Sequence, residues 1–575
     1  MSKSPLFARS AWLLALLLAA ACDHPAANPP DASAGPGLDD AAAASPDAGV
    51  APGADAAVEP PDAAVEPADA AAIDPRRYDA LAASIRAEMA ELGSPGVAVA
   101  VVENGQMTFA QGFGLRHPDQ ADAGMLPTTN FRLASVTKQL TAAAVLQQVA
   151  LGALDLDKPI TDYLPNFALD LETSQQVLVR HLLTHTSGLN DYLEYSNRPD
   201  ELGDTALERF YTTGRYAGVG YFMAPPGRFY NYSNTGFNVA GLLVEKVTKL
   251  RYRPYMMLKI FGPIGMARTF LLPSEVLADG DYATGVSTDQ NGQRVLNAPD
   301  SYDNTWARPC GYSFSNVVDL SKWARFLMHG DDAILPSAQR LAMQTRQFDM
   351  ESYLDLFHYD FGLWTQTGLF LETAYVPGTD TVQHDGYLDG FATQIVMVPA
   401  QDFAIVVLAN KSGAYFSKSI ALALDTFVPH GPAGTWPDPQ IDPASFNRFV
   451  GTYLDPHEVG TMNVTLEGTR LKISMPDLDA YSVPYSHDLV PTSDRNFTLT
   501  VQGFPFGATF MLDAAGKPEF LRTRSFVGAY QPPAGPSPLP PRPSLRVRTD
   551  RKSFLEQLRR TSLEERLEQH GRTGR

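Results

Sequence analysis

At 575 residues the chain is long enough for three or more domains, but its composition is uneven along its length. Of the formal charge of -19, more than half comes from one segment, Cys22 to Pro75, which holds eleven carboxylates, no Lys or Arg and almost no large apolar side chain. The acidity is therefore a property of that segment, and it argues against nucleic acid as a partner without implying a basic ligand.

Taken in chain order, MSKSPLFARSAWLLALLLAAACD places Lys3 and Arg9 before an apolar run that ends at Ala21. That is the pattern of a secretory signal, too short for a membrane span and without a stop-transfer segment behind it. Cys22 after small residues resembles a bacterial lipoprotein cleavage site. The resemblance implies lipidation of Cys22 and an exported protein anchored in the cell envelope, facing the periplasm or the cell surface. Ala19 stands where that pattern prefers Leu, and Ala19 with Ala21 also fits an ordinary A-x-A site, so simple secretion stays open. Residues 23–75 repeat DAAVEP at 55–60 and 62–67 and cannot bury enough apolar surface to offset their ordering entropy. They read as a disordered, extended tether.

Residues 76–428 alternate helical and strand patterns. DALAASIRAEMAEL predicts an amphipathic helix, and VAVAVVENGQMTFAQGFG predicts two period-2 strands around a turn at Glu103-Asn104-Gly105-Gln106. A second hairpin of β-branched residues is predicted over 395–410. Strands at both ends with helices between them imply an α+β domain, one antiparallel sheet flanked by helices and carrying a helical insertion. After a composition shift at 429–443, residues 440–531 read as short alternating strands, a small antiparallel β-barrel or β-sheet domain. Residues 532–575 are a Pro-rich and charged tail, read as solvated.

Spacing alone singles out Ser135 and Lys138 as candidates for chemistry. Ser135 opens a helical pattern in FRLASVTKQLTAAAVLQQVALG, and Lys138 lies one turn on, so its amine can approach the hydroxyl. A helix N-terminus adds unpaired N–H groups that favour negative charge on a serine or an oxyanion. Serine needs such a base to act as a nucleophile, although a plain helix cap would use the same residue. The tripeptide YSN occurs twice, at Tyr195 to Asn197 and at Tyr232 to Asn234. Only the second has Pro226, Gly227 and Phe229 before it and an apolar helical pattern after it. The first sits among acidic flanks and reads as a surface loop.

FRLASVTKQLTA resembles the nucleophile helix of the penicillin-recognising serine hydrolases, in the branch of class C β-lactamases, D-Ala-D-Ala carboxypeptidases, esterases and D-aminopeptidases. That family carries S-x-x-K, Y-x-N and a K-T-G or H-x-G strand in fixed order. The resemblance implies a serine β-lactamase/transpeptidase-like fold, with Ser135, Lys138 and Tyr232 catalytic and Asn234 binding substrate. VRHLLTHTSGLNDY resembles a further signature of the same family. For the third element the chain offers HDG at His384 to Gly386 and KSG at Lys411 to Gly413. HDG opens a strand run and KSG follows one, so the two would lie at opposite ends of a meander, and HDG has the family's arrangement. Gly386 would let substrate backbone approach, and the N–H of Tyr387 would join that of Ser135 in an oxyanion hole. His384 replaces the lysine of β-lactamases. It carries no permanent charge near pH 7, which places antibiotic hydrolysis behind ester or D-amino acid amide hydrolysis.

No cofactor or metal is expected. His181 and His185 lack partners at ligand spacing and read as structural, and Cys310 reads as a small buried apolar residue. The expected function is a serine hydrolase working through an acyl-enzyme. A β-lactamase or D-Ala-D-Ala carboxypeptidase, and a non-catalytic cell-wall peptide-binding lipoprotein, are the alternatives. Oligomeric state is open.

Overall fold

The computed structural model describes residues 75–192, 201–213, 215–289, 291–351, 355–439 and 441–532. The leader with Cys22, the tether, Tyr195 to Asn197 and the tail lie outside the described residues.

Helix α1 (Asp79–Leu92) leads into strand β1 (Gly96–Glu103), which turns back as β2 (Gln106–Gly114). Asn104 and Gly105 both take positive φ, 50° and 68°, in the mirror-image turn whose twist matches the strands on either side. The chain then leaves the sheet for its helical part, with α2 (Thr137–Ala150), α3 (Asn234–Thr248) and α4 (Val317–His329). It returns as β3 (Phe348–Asp349), β4 (Phe357–Tyr359), β5 (Trp364–Gln366), β6 (Thr381–Leu388), β7 (Phe391–Val398) and β8 (Phe403–Ala409), followed by α5 (Ser417–Phe427). Strand order is β2-β1-β8-β7-β6-β5-β4-β3. Val97 pairs with Ala409 and Glu103 with Phe403, so the two sequence ends of the domain meet in the sheet as expected.

Both faces of the sheet are covered, which explains why GVAVAVV and FAIVVLA are apolar without alternation. Val97, Val99 and Val101 pack with Leu81 and Ile85 of α1 and Ile420 and Leu424 of α5. Ala98, Ala100 and Val102 face the larger core built on α2, α3 and α4. Strand β6 begins at Thr381, three residues earlier than the HDG reading placed it, because Thr381 to Gln383 pair with β5. Lys411 stands beyond the end of β8, and its ammonium donates to the Leu92 carbonyl at 2.5 Å, where a cation complements the C-terminal end of α1.

Eight further antiparallel strands between Gly451 and Gln531 close into a barrel, with Thr452 paired to Gln531. Aromatic side chains fill its interior, Phe449 and Phe510 stacking at 4.3 Å. The barrel packs on the segment from Tyr221 to Tyr230. Phe229 meets Phe520 edge-to-face at 5.3 Å, within an apolar patch that includes Met223 and Met511. Arg228 pairs with Glu519, Arg522 donates to the Tyr230 carbonyl at 2.5 Å, and the Tyr221 hydroxyl donates to Glu458 at 2.6 Å. Among the described residues no helix is long and apolar enough to cross a membrane.

Candidate active site

Ser135 lies in a single 3₁₀ turn, Ala134–Val136, directly ahead of α2. Ala134 holds a left-handed φ of 49°, a strained conformation for a residue with a Cβ and one that recurs at functional sites. The turn is pinned by the sheet. Thr393 of β7 donates to the Leu133 carbonyl at 2.8 Å, and a Cβ on Gly386 would come within 2.5 Å of that carbonyl and 2.9 Å of the Ala134 Cβ. Gly386 is thus required for β6 to lie against the Ser135 turn, a reason different from the substrate approach inferred from sequence.

The Ser135 Oγ accepts from the Tyr232 hydroxyl at 2.8 Å and from the Lys138 ammonium at 3.0 Å. Neither helix start shows a side-chain cap bond from this serine, so the plain-cap alternative has no support. Lys138 is fully buried, and its ammonium also donates to Asn234 Oδ1 at 2.7 Å and to the Cys310 carbonyl at 2.8 Å. Three acceptors match its three N–H bonds, as a buried cation demands. Cys310 is buried as read from sequence, and its thiol donates to the Ala307 carbonyl at 3.2 Å, but the group used here is its backbone carbonyl, which no side-chain pattern announces.

Tyr232 and Asn234 are delivered by the start of α3, where the Ser233 hydroxyl caps the helix by accepting from the Gly236 N–H at 3.2 Å. The segment rests on a shelf made by the HTSG stretch. His185 O accepts from Asn231 N at 2.8 Å, and its ring stacks on the Tyr232 ring at 4.1 Å. A hydrogen-bond chain continues from there. The Ser233 N–H donates to His185 Nδ1 at 3.0 Å, which leaves His185 Nε2–H to donate to the Tyr359 oxygen at 2.9 Å. The Tyr359 hydroxyl in turn meets His384 Nε2 at 3.3 Å, and His384 Nδ1–H donates to the Asp385 carbonyl at 2.5 Å. With both rings neutral, every donor in this chain faces an acceptor. Burial, and then the nearby positive charge, that of Lys138 foremost, push His185 well below the usual imidazole range. From sequence His185 reads as structural, and Tyr359 carries no signal at all. Both line the link between Tyr232 and His384.

Tyr387 follows Gly386 on β6 and is buried. Beyond Gln383, among the described strands, β6 keeps only β7 as a pairing partner. Among the described residues no group of three or more His, Cys, Asp or Glu side chains is placed to hold a metal ion.

The barrel also reaches this site. Arg524, at the tip of the turn Thr523 to Phe526, places its guanidinium 4.3 Å from the Tyr232 ring centre and pairs with Asp191 at 2.8 Å. The sequence reading missed both residues.

The profile of the Beta-lactamase family matches residues 81–426. The chain belongs to the Beta-lactamase family. Within it, the chain is 30% identical over 329 residues to penicillin-binding protein 4 of Amycolatopsis lactamdurans, covering 55% of this chain and 81% of that one. It is 26% identical over 332 residues to protein flp of Staphylococcus aureus, covering 57% of this chain and 61% of that one. The chain therefore spans about three-fifths of the length of this staphylococcal relative. The octameric penicillin-binding protein homologue from Pyrococcus abyssi superposes with a TM-score of 0.52 at 23% identity, covering 76% of this chain and 96% of that one. SurE, solved with D-Leu, superposes with a TM-score of 0.59 at 22% identity, covering 80% of this chain and the whole of that one. These two likenesses show the fold, a large antiparallel sheet flanked by helices, and the family profile places Ser135, Lys138, Tyr232 and His384 inside the β-lactamase-like part.

Proposed function

We propose that the protein is a serine hydrolase that cleaves ester or amide bonds, D-amino acid peptides included, through an acyl-enzyme on Ser135. One observation carries the reading: Ser135 Oγ is held at once by the Tyr232 hydroxyl and the Lys138 ammonium. Lys138 favours the deprotonated phenol of Tyr232, which then takes the Ser135 proton as the oxygen attacks the substrate carbonyl carbon. Negative charge on the carbonyl oxygen is met by the backbone N–H groups of Ser135 and Tyr387. As the C–O or C–N bond breaks, Tyr232 returns the proton to the leaving group. Water enters, gives a proton to Tyr232, attacks the acyl carbon, and frees Ser135, which regains its proton. Asn234 orients Lys138 and the substrate amide, and His384 orients the substrate. In this reading the protein is exported and held to the envelope through Cys22, which palmitate labelling with Cys22→Ala as control would test.

A fluorophosphonate probe tests the chemistry. The wild-type protein is expected to label, and Ser135→Ala is expected not to. Equal labelling of both would remove the enzyme reading in favour of a binding module. Among p-nitrophenyl esters, D-amino acid amides, D-Ala-D-Ala peptides and nitrocefin, the first two are expected to turn over fastest, since His384 supplies no permanent cation for a β-lactam carboxylate. Fastest turnover of nitrocefin would overturn that preference.

A further inference from the structure

Two permanent cations face the Tyr232 ring. One is Lys138, with its nitrogen 4.9 Å from the ring centre; the other is Arg524 at 4.3 Å, and it comes from the barrel. The Arg524 side chain is nearly enclosed and its turn is built to carry it. Thr523 Oγ1 accepts from the Ser525 and Phe526 N–H groups at 3.2 and 3.0 Å, fixing the tip between two barrel strands. Asp191 steers the guanidinium by accepting from its Nε and an Nη at 3.1 and 2.8 Å, while its other oxygen accepts from the Asn234 N–H at 2.8 Å. The barrel turn and the start of α3 are thereby tied through one carboxylate.

The other groups around the phenol do not supply this charge. His185, whose ring stacks on that of Tyr232 at 4.1 Å, is held neutral by burial. His384 lies beyond Tyr359 and, in place of a lysine, adds no permanent charge. Tyr359 and Tyr230 contact the His185 ring as neutral aromatics, and Asp191 is the carboxylate that tempers Arg524.

We propose that Arg524 is a positioning residue of the catalytic centre: the barrel supplies, through it, a second cation that favours the deprotonated form of Tyr232, with Asp191 setting how much of that charge the ring feels. A cation over an aromatic ring is attracted to the neutral phenol and more strongly to the phenolate, whose charge spreads into the ring. The proposal rests on the acyl-enzyme reading of Ser135.

The test is the pH dependence of the second-order rate at which a fluorophosphonate labels Ser135, which needs no knowledge of the natural substrate. Arg524→Ala is expected to move the acidic limb to higher pH by about one unit, so that labelling falls about tenfold on the limb and recovers on the alkaline plateau. Arg524→Lys is expected to restore most of the wild-type profile. Asp191→Asn, which can still accept from Asn234 but leaves Arg524 uncompensated, is expected to move the limb the other way. Melting curves show which variants fold; if Arg524→Ala does not, the shift of the limb to lower pH in Asp191→Asn, against a near-wild-type limb in Arg524→Lys, carries the test. An unmoved limb, or a rate lowered equally at every pH, would overturn the proposal and leave Arg524 a wall of the site. No labelling of the wild type at any pH would instead remove the acyl-enzyme reading, and this assignment with it.

Discussion

Tyr232 is the residue on which the two copies of YSN had to be separated. Its hydroxyl reaches Ser135 because Ser233 caps α3 and the HTSG shelf supports the backbone on the other side. Tyr232→Phe is expected to slow fluorophosphonate labelling of Ser135 by at least about a hundredfold, the effect of losing a general base. Tyr195→Phe is expected to leave the rate within about twofold of wild type. Rates measured side by side decide between them, and the reverse pattern would transfer the role to the earlier copy. Lys138 and Asn234 sit where the motif reading put them relative to Ser135. The Cys310 carbonyl and Tyr359 hydroxyl are further partners that the motifs do not contain.

At the level of elements, the short helix Val179–Leu183 carries the HTSG shelf, and His181 closes its N-terminal end by accepting from the Leu178 N–H at 3.1 Å. Burial, helped by the Arg180 charge and opposed by Asp157, pushes His181 down from the ordinary 6.5 to about 4. The sign follows from linkage: the unfolded chain binds the proton below 6.5 and the folded chain does not until about 4. The helix end therefore contributes fully above pH 6.5 and loses stability as pH falls toward 4. Because the ring is partly exposed, roughly 1 to 2 kcal/mol is expected. In His181→Gln, whose amide oxygen can still accept the N–H, that part of the pH dependence should disappear from melting curves taken between pH 7 and 4.5. A slope unchanged by the substitution would assign it to other groups.

At the scale of the whole molecule, the barrel packs against the segment that leads into Tyr232. It grips the Tyr221 to Tyr230 segment just ahead of Tyr232, through Phe229 against Phe520, Arg228 with Glu519 and Arg522 on the Tyr230 carbonyl. Phe520→Ala removes a ring from this contact without touching a group that meets Ser135. It is expected to cost about 3 kcal/mol of stability and to lower the labelling rate several-fold as the segment loosens. A stable variant with an unchanged rate would show that the barrel does not brace the site.

The sequence by itself determined the family, the antiparallel sheet closed by both ends of the domain, the barrel or sheet that follows it, and the proximity of Ser135, Lys138, Tyr232 and Asn234. These were legible because each rests on local order: a helical turn between Ser135 and Lys138, a capped helix start at Asn234, strand runs and a turn at Asn104-Gly105. HDG could be preferred to KSG because the start of one strand and the end of another lie at opposite ends of a meander and cannot face one site, and Lys411 stands at the end of α1. Tertiary structure alone decided the rest. The Cys310 carbonyl has no side-chain signature, and Gly386 answers to a turn more than two hundred and fifty residues before it. Arg524 and Asp191, of common residue types and 333 positions apart, meet only when the barrel docks. The pair brings the Arg524 charge to the buried Tyr232 ring, and convergence of distant segments is what a one-dimensional pattern does not encode.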